Sequence, residues 1–298
     1  MSTRTTPPRA PLSVPDTLKP PRSGKKIAFQ VAAYLVLILF ALIYIFPFLI
    51  EIGSAFKTDV DANNNPLNPI PQTWTTAAFH KLADANFARW FTNSTIIALV
   101  VTAGRVFFDS LAGYALARLH FRGRAAINGA IIAVMAIPSV VLLIPKFLVL
   151  VQLHLTNSYP GMIIPLMADA AGVFIMRQFF INIPAEVEEA ARIDGAGTFK
   201  VFWRVVLPMA RPAVITLTIL SFQGSWNEFS FFLVANNNPN LDTLTTGVAT
   251  LIGGGEGASN QFPFKLAAAL LMTIPTAVVF FVFQRYFIRG ASSGAVKG

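Results

Sequence analysis

Six stretches of nearly unbroken apolar residues divide this chain, at residues 27–50, 93–117, 125 onward, 159–180, 209–234 and 263–286. A helix of about 20 residues crosses the hydrocarbon core of a bilayer, and these runs are long enough to do so. The third run is broken by Pro138 and Pro145, which predict a kink and a segment lying in the outer interface. Polar intervals separate the runs: 51–89, with Asn63, Asn64, Asn65 and Pro66; a tight basic loop with Arg118, Arg122 and Arg124; a charged island at 184–208; and a Gly/Asn-rich stretch at 235–261. Residues 1–26 mix prolines with Lys and Arg and read as a disordered basic tail. The run that follows is too long for a signal-peptide core and lacks a cleavage pattern. The expected organisation is a basic tail (1–26), a domain of six transmembrane helices (27–290) and a short tail (291–298). The fold class is an all-α membrane protein.

Composition supports the bilayer as solvent. Hydrophobic residues make up 54% of the chain and charged ones only 12%, about half the charged share of a soluble domain. The net charge of +9 does not imply nucleic acid, because the basic residues flank apolar runs in alternate loops and form no single polar face. Basic residues concentrate in the first tail, in 118–124, in 200–211 and at the C-terminus. By the positive-inside rule both termini and the charged island are cytoplasmic. With no cysteine, disulfides, thiolate metal sites and cysteine catalysis are excluded.

The charged island reads as helix, break, helix. Pro184 suits a first turn, and Glu186, Glu188 and Glu189 complement the positive end of the helix dipole. Ala185, Ala190 and Ala191 keep one face small, and Gly195 is a stop signal. Thr198 is placed to cap the next helix, with Phe199, Phe202, Trp203 and Val206 at i, i+3, i+4 and i+7 forming its apolar stripe. The expectation is a short surface helix held by an amphipathic one at the membrane boundary, which is a docking device.

Glu189-Ala190-Ala191, Asp194-Gly195-Ala196 and Leu207-Pro208 resemble the EAA loop of ABC importer permeases. Asn93-Ser94, the run from Leu111 to Arg118, Ser225-Trp226-Asn227-Glu228 and the ending Gly294-Ala295-Val296-Lys297-Gly298 are similar to the carbohydrate branch, most of all to second permease subunits of maltose-type transporters. The resemblance implies a type I importer permease fold in a bacterial plasma membrane. It also implies these partners: a second permease, two ATPase subunits, an extracytoplasmic solute-binding protein and a sugar substrate. Glu188, Glu189, Ala190, Ala191, Asp194, Gly195 and Ala196 would couple to the ATPase, and Lys297 and Gly298 would reach its interface. ATP and Mg would be held by those partners, since the chain has no G-x-x-x-x-G-K-[ST] loop and its three histidines are isolated.

Charged and polar residues inside the runs are the remaining candidates, because charge at membrane depth is costly and functional by default. Arg105 and Asp109 lie four apart and predict an ion pair along one helix face. Asp169 falls near the middle of the fourth run, within reach of Arg105, and departs from the small or apolar residues the resemblance implies there. These three either fix helix packing or line the pathway. Gln223, Trp226, Asn227 and Ser230 share one face of the fifth run, where amides bond hydroxyls and an indole stacks on a sugar. Interhelical bonding by the same four residues is the other reading. A self-contained ion-coupled carrier using Arg105, Asp109 and Asp169 is a rival that leaves the docking loop unexplained. An importer of a glycerophosphodiester or polyamine is a second rival.

Overall fold

The computed structural model describes residues 24–253 and 261–295, all helix, turn and connecting segment. In order the helices are α1 (Gly24–Ala55), α2 (Asp59–Asn64), α3 (Ala77–Asp84), α4 (Phe87–Arg118), α5 (Arg124–Met135), α6 (Leu143–Gln152), α7 (Tyr159–Ile163) and α8 (Ala170–Ile181). They continue as α9 (Ala185–Ile193), α10 (Thr198–Val201), α11 (Leu207–Met209), α12 (Arg211–Trp226), α13 (Ser230–Ala235), α14 (Leu244–Gly253) and α15 (Phe262–Ala295). The first tail up to residue 23, residues 254–260 and the end of the second tail lie outside the described residues, as do Lys297 and Gly298.

The chain divides into two units, Met1–Leu49 and Ile50–Gly298. In the first, α1 is apolar all round, with Leu35, Phe40, Leu42 and Tyr44 all exposed. Such a helix is a membrane span whose solvent is lipid.

The second unit is organised on α4, 32 residues long and so about 48 Å from end to end. Small residues on α4 and α8 let the two approach closely. A Cβ on Gly104 would meet the Met167 side chain at 2.7 Å, and one on Gly113 would meet Met176 at 2.8 Å. Toward the start of α4, Trp90 and Ala98 pack with Phe222, Trp226, Leu244 and Ala267. At its other end, Tyr114 and Ala117 pack with Met176, Phe180, Phe202, Val206 and Leu217.

Among the described residues four helical stretches pass as spans on length and composition: Ala28–Ala55, Phe87–Arg118, Tyr159–Ile181 and Phe262–Gln284. Two bent pairs bring the possible total to six. The third run turns by 102° between Arg124–Met135 and Ser139–Gln152. Pro138 marks that break, whereas Pro145 sits in the first turn of α6, where a missing N–H costs nothing. The second bend, 81°, joins Thr198–Met209 to Arg211–Trp226. It divides the amphipathic segment from the fifth span.

Two further expectations change. The fifth run is not one helix: α12 ends at Trp226, Asn227 is its C-cap, and α13 begins at Ser230. The stretch 235–261 is not simply loop. It carries α14, whose Gly247 lies so close to Trp90 that a Cβ would stand 2.3 Å from the indole.

Candidate functional site

α9 is built as a two-faced helix. Its inward face carries Glu188, which is buried, with an oxygen 3.0 Å from Arg118 Nε at the end of α4. Neither atom completes a directed hydrogen bond there, so the contact is electrostatic. Tyr114, four residues before Arg118, donates its hydroxyl to the other Glu188 oxygen at 3.1 Å, and Arg192 lies 3.8 Å from it. Arg118 also donates to the Ile183 carbonyl just before α9. Glu188 was expected among the residues that meet a partner; it is instead buried and anchors α9 to α4. A carboxylate at 5% exposure needs cations and donors around it, and α4 supplies them.

The outward face carries Glu186, Glu189, Ala190 and Ile193 at i, i+3, i+4 and i+7, all exposed. Ile193 is the extreme, at 87% exposure. The sequence reading passed over it because it followed charge and small residues, yet its place on that period was legible. Ala191 faces partly inward and packs with the apolar cluster at this end, as does Ala196, while Asp194 closes the helix as C-cap. Gly195 follows at φ +80°. Its N–H bonds Arg192 O at 3.0 Å and the N–H of Ala196 bonds Ala191 O at 3.0 Å. The two bonds form a complete Schellman turn, and the left-handed residue in it is the one glycine favours.

The next segment departs from the expected stripe. Thr198 makes no capping bond, and Gly197 holds the cap position. Residues Phe202–Val206 form a π turn, which shifts the register by one residue. Val201, Phe202 and Val206 are therefore buried, while Phe199 and Trp203 are exposed.

The intramembrane charges do something the sequence did not announce. Arg105 and Asp109 form no contact ion pair, and Arg105 does not meet Asp169. The fourth run is interrupted between Leu166 and Ala170, which frees a carbonyl and an N–H at membrane depth. Arg105 Nε donates to Leu166 O at 2.7 Å, and Asp109 Oδ1 accepts from Asp169 N–H at 3.0 Å. The i, i+4 pair on α4 thus brackets the break in its neighbour and satisfies both orphan groups. Asp169 is the N-cap of α8, its carboxylate accepting from Gly172 N–H at 3.3 Å. Asp is a poor residue for a helix interior and a good one for a cap, which is why the run breaks there.

The four polar residues of the fifth span divide. Trp226 is buried, stacked on Phe222 with centroids 5.6 Å apart, and donates Nε1–H to Met272 O at 3.0 Å. It is packing and has no open face for a sugar. The Gln223 carbonyl oxygen accepts from Asn227, a bond that ends the helix. Asn227 and Ser230 line a cavity of about 270 Å³ with Ser139, Lys146, Gly224 and Glu228. Lys146 and Glu228 were missed, although both are charges within or beside apolar runs.

At the opposite end of α4 a polar cap closes the unit. Asn93 donates to the carbonyls of Asn240 and Asp242 at 3.0 and 2.8 Å and accepts from Tyr159 at 2.6 Å. Arg89 donates to Asn240, and Ser94 accepts from Leu244 N–H at 2.8 Å. Burial raises the Asp242 carboxyl above the usual carboxylate range, while hydrogen bonds from Thr246 and Asn236 hold the rise back.

Residues 109–293 match the family described as binding-protein-dependent transport system inner membrane component. The chain belongs to this family. It is accordingly a non-catalytic, multi-pass membrane subunit of a binding-protein-dependent importer. It is 33% identical over 262 residues to the arabinooligosaccharides transport system permease protein AraQ of Halalkalibacterium halodurans, spanning 87% of this chain and 93% of the relative. It is 34% identical to the sulfoquinovosyl glycerol transport system permease protein SmoH of Agrobacterium fabrum, over 93% of this chain and 95% of the relative. The sn-glycerol-3-phosphate transport system permease protein UgpE of Yersinia pestis is 31% identical over 88% of this chain and 95% of its own. A crystal structure of a bacterial ABC transporter involved in the import of the acidic polysaccharide alginate shares the fold. Its TM-score is 0.80 at 24% identity, covering 90% of this chain and 100% of that one.

Proposed function

We propose that this permease forms half of the translocation pathway of an ATP-driven sugar importer. A second permease completes the pathway, two ATPase subunits bearing ATP and Mg dock at α9, and an extracytoplasmic solute-binding protein delivers cargo to the opposite end. The observation that carries this reading is the outward face of α9: Glu186, Glu189, Ala190 and Ile193 stand exposed on a helix locked from behind by Glu188, Tyr114 and Arg118. An exposed isoleucine among carboxylates and alanines, on a rigid helix, is what a cleft on a partner grips. The basic loops at 118–124 and 200–211 support a cytoplasmic position for this end and for both termini by the positive-inside rule. The sugar class follows the relatives that carry arabinooligosaccharides and sulfoquinovosyl glycerol. The glycerol-3-phosphate relatives support a second reading, the same architecture with a glycerol phosphate, as monoester or glycerophosphodiester, as cargo.

The test is ATP hydrolysis by the co-purified complex in nanodiscs, with its binding protein and a panel of sugars and glycerol phosphate mono- and diesters. Stimulation by a sugar supports the first reading and stimulation only by a phosphate ester supports the second. If no ATPase co-purifies and the chain alone carries solute down an ion gradient, the coupling argument falls. Gly195→Pro cannot hold φ +80° and is expected to abolish coupling with membrane insertion intact. Ile193→Asp leaves the fold in place and is expected to cut ATPase association at least tenfold, read by pull-down.

A further inference from the structure

Three spans lose their helical continuity around one place. The third breaks before Ser139, the fourth between Leu166 and Ala170, and the fifth between Trp226 and Ser230. Backbone of this kind is tolerated at membrane depth only where it is buried in protein or lines a cavity. Here it lines two. The cavity of about 270 Å³ takes Ser139, Lys146, Leu166, Asn227, Glu228 and Ser230 into its wall. A second, of about 360 Å³, shares Ser139 and Lys146 with it and includes Asp169.

We propose that this pair of cavities is a solute subsite for an anionic group on a hydroxyl-bearing solute, with Lys146 as the specificity-determining contact. The inference rests on the importer reading above and names the cargo class within it. Lys146 has no carboxylate within ion-pair distance among the described residues. Its ammonium instead lies 5.7 Å from the Phe231 ring centroid, a contact that holds a cation without neutralising it. A second cation lies near Gly224, outside the lining itself. Arg105 spends its Nε on Leu166 O, and its Nη1 passes 3.6 Å from where a Cβ on Gly224 would be, at a residue that lines the first cavity. The facing carboxylates are already engaged. Glu228 Oε1 accepts from Phe231 N–H at 2.8 Å, and Asp169 Oδ2 caps α8 through Gly172 N–H. Asp109, on the far side of the α8 start, accepts from Asp169 N–H and is fully buried. Lys146 is the cation common to both cavities, and the carboxylate in each wall, Glu228 in the first and Asp169 in the second, has one oxygen held by a backbone N–H. Ser139, Asn227 and Ser230 add donors and acceptors for hydroxyls. A cation without a carboxylate partner inside a membrane domain is a functional candidate by default, and a lysine is a point charge suited to carboxylate, phosphate or sulfonate alike.

The test is uptake into proteoliposomes holding the whole complex, with binding protein outside and ATP inside. Matched probes differ only in the charged group: sn-glycerol 3-phosphate against glycerol, galacturonate against galactose, sulfoquinovosyl glycerol against glucosyl glycerol. The wild type is expected to take up the acidic member of a pair, a result independent of any variant. Lys146→Gln is expected to raise the KM for it at least tenfold with Vmax changed less than twofold, and Lys146→Arg to stay within threefold of wild type. ATP-driven uptake that prefers the neutral members, or an unchanged KM in Lys146→Gln, overturns the anionic subsite and leaves the importer standing. Absence of any associated ATPase overturns the importer, and this subsite with it.

Discussion

α4 carries two polar clamps, each an i, i+4 pair, and they work differently. Arg105 and Asp109, in mid-span, bond backbone: a carbonyl and an N–H left over where the fourth span breaks. Tyr114 and Arg118, at the end of the same helix, bond a side chain, the buried Glu188 of α9. In the first case the break creates the polar groups and the clamp makes them tolerable at membrane depth. In the second the clamp fixes a helix whose other face is bare. One clamp holds a discontinuity inside a span; the other holds a helix with an exposed face in place. Both occur on one helix because residues four apart face the same way, and α8 and α9 follow each other along that face.

Breaking the lower clamp is expected to have the largest effect. Arg118→Ala leaves Glu188 buried without its closest cation, a change that costs roughly 3–5 kcal/mol. Thermal unfolding of the detergent-solubilised complex measures it, and loss of ATPase association should accompany it. If Arg118→Ala unfolds with the wild type, Glu188 is held by Tyr114 and Arg192 alone and the clamp has been misassigned.

The upper clamp is sharpened by Gly172→Ala. A Cβ there would stand 2.0 Å from Asp109 Oδ2 and 3.0 Å from a Leu217 methyl, so Asp109 must withdraw from Asp169 N–H or α8 must move. Overpacking of this kind costs about 1–3 kcal/mol. The variant should lower the unfolding midpoint and speed amide exchange at Asp169, while α9 keeps its protection. Equal loss at both ends would show that the clamps are one unit.

The smallest effect belongs to the polar cap at the start of α4, a region that uses neither clamp. The Asp242 carboxyl is raised by burial. Its contribution to stability is full below the ordinary carboxylate pKa, where it is neutral folded or unfolded, and is lost as pH rises through the raised value. Amide exchange across residues 236–246 should therefore quicken as pH rises through that window after correction for intrinsic rates. Asp242→Asn should flatten the dependence, with both clamps unaffected.

Much of this was legible in residue order. The apolar runs, the break at Pro138, the Gly195 stop and a short surface helix before it follow from run length, breakers and helix stop signals. What failed did so for identifiable reasons. The stripe from Phe199 to Val206 slipped because a π turn is invisible to a fixed period. Gln223, Trp226, Asn227 and Ser230 share one face only if the helix continues, yet the Gln223 main-chain carbonyl, bonded by Asn227, ends it there.

The sequence by itself determined that this is an all-helical membrane chain with a short charged helix between its fourth and fifth spans. Hydrophobic run length, charge placement and helix stop signals are local, so a reader of residues recovers them. Tertiary structure decided what the buried polar groups do. Whether Glu188 points at a partner or anchors the helix, and whether Arg105 pairs with Asp109 or with a freed carbonyl, depends on which helix lies alongside. Spacing along the chain states which residues share a face. Only packing states what that face meets, and for a charge in a low-dielectric interior the partner fixes the role.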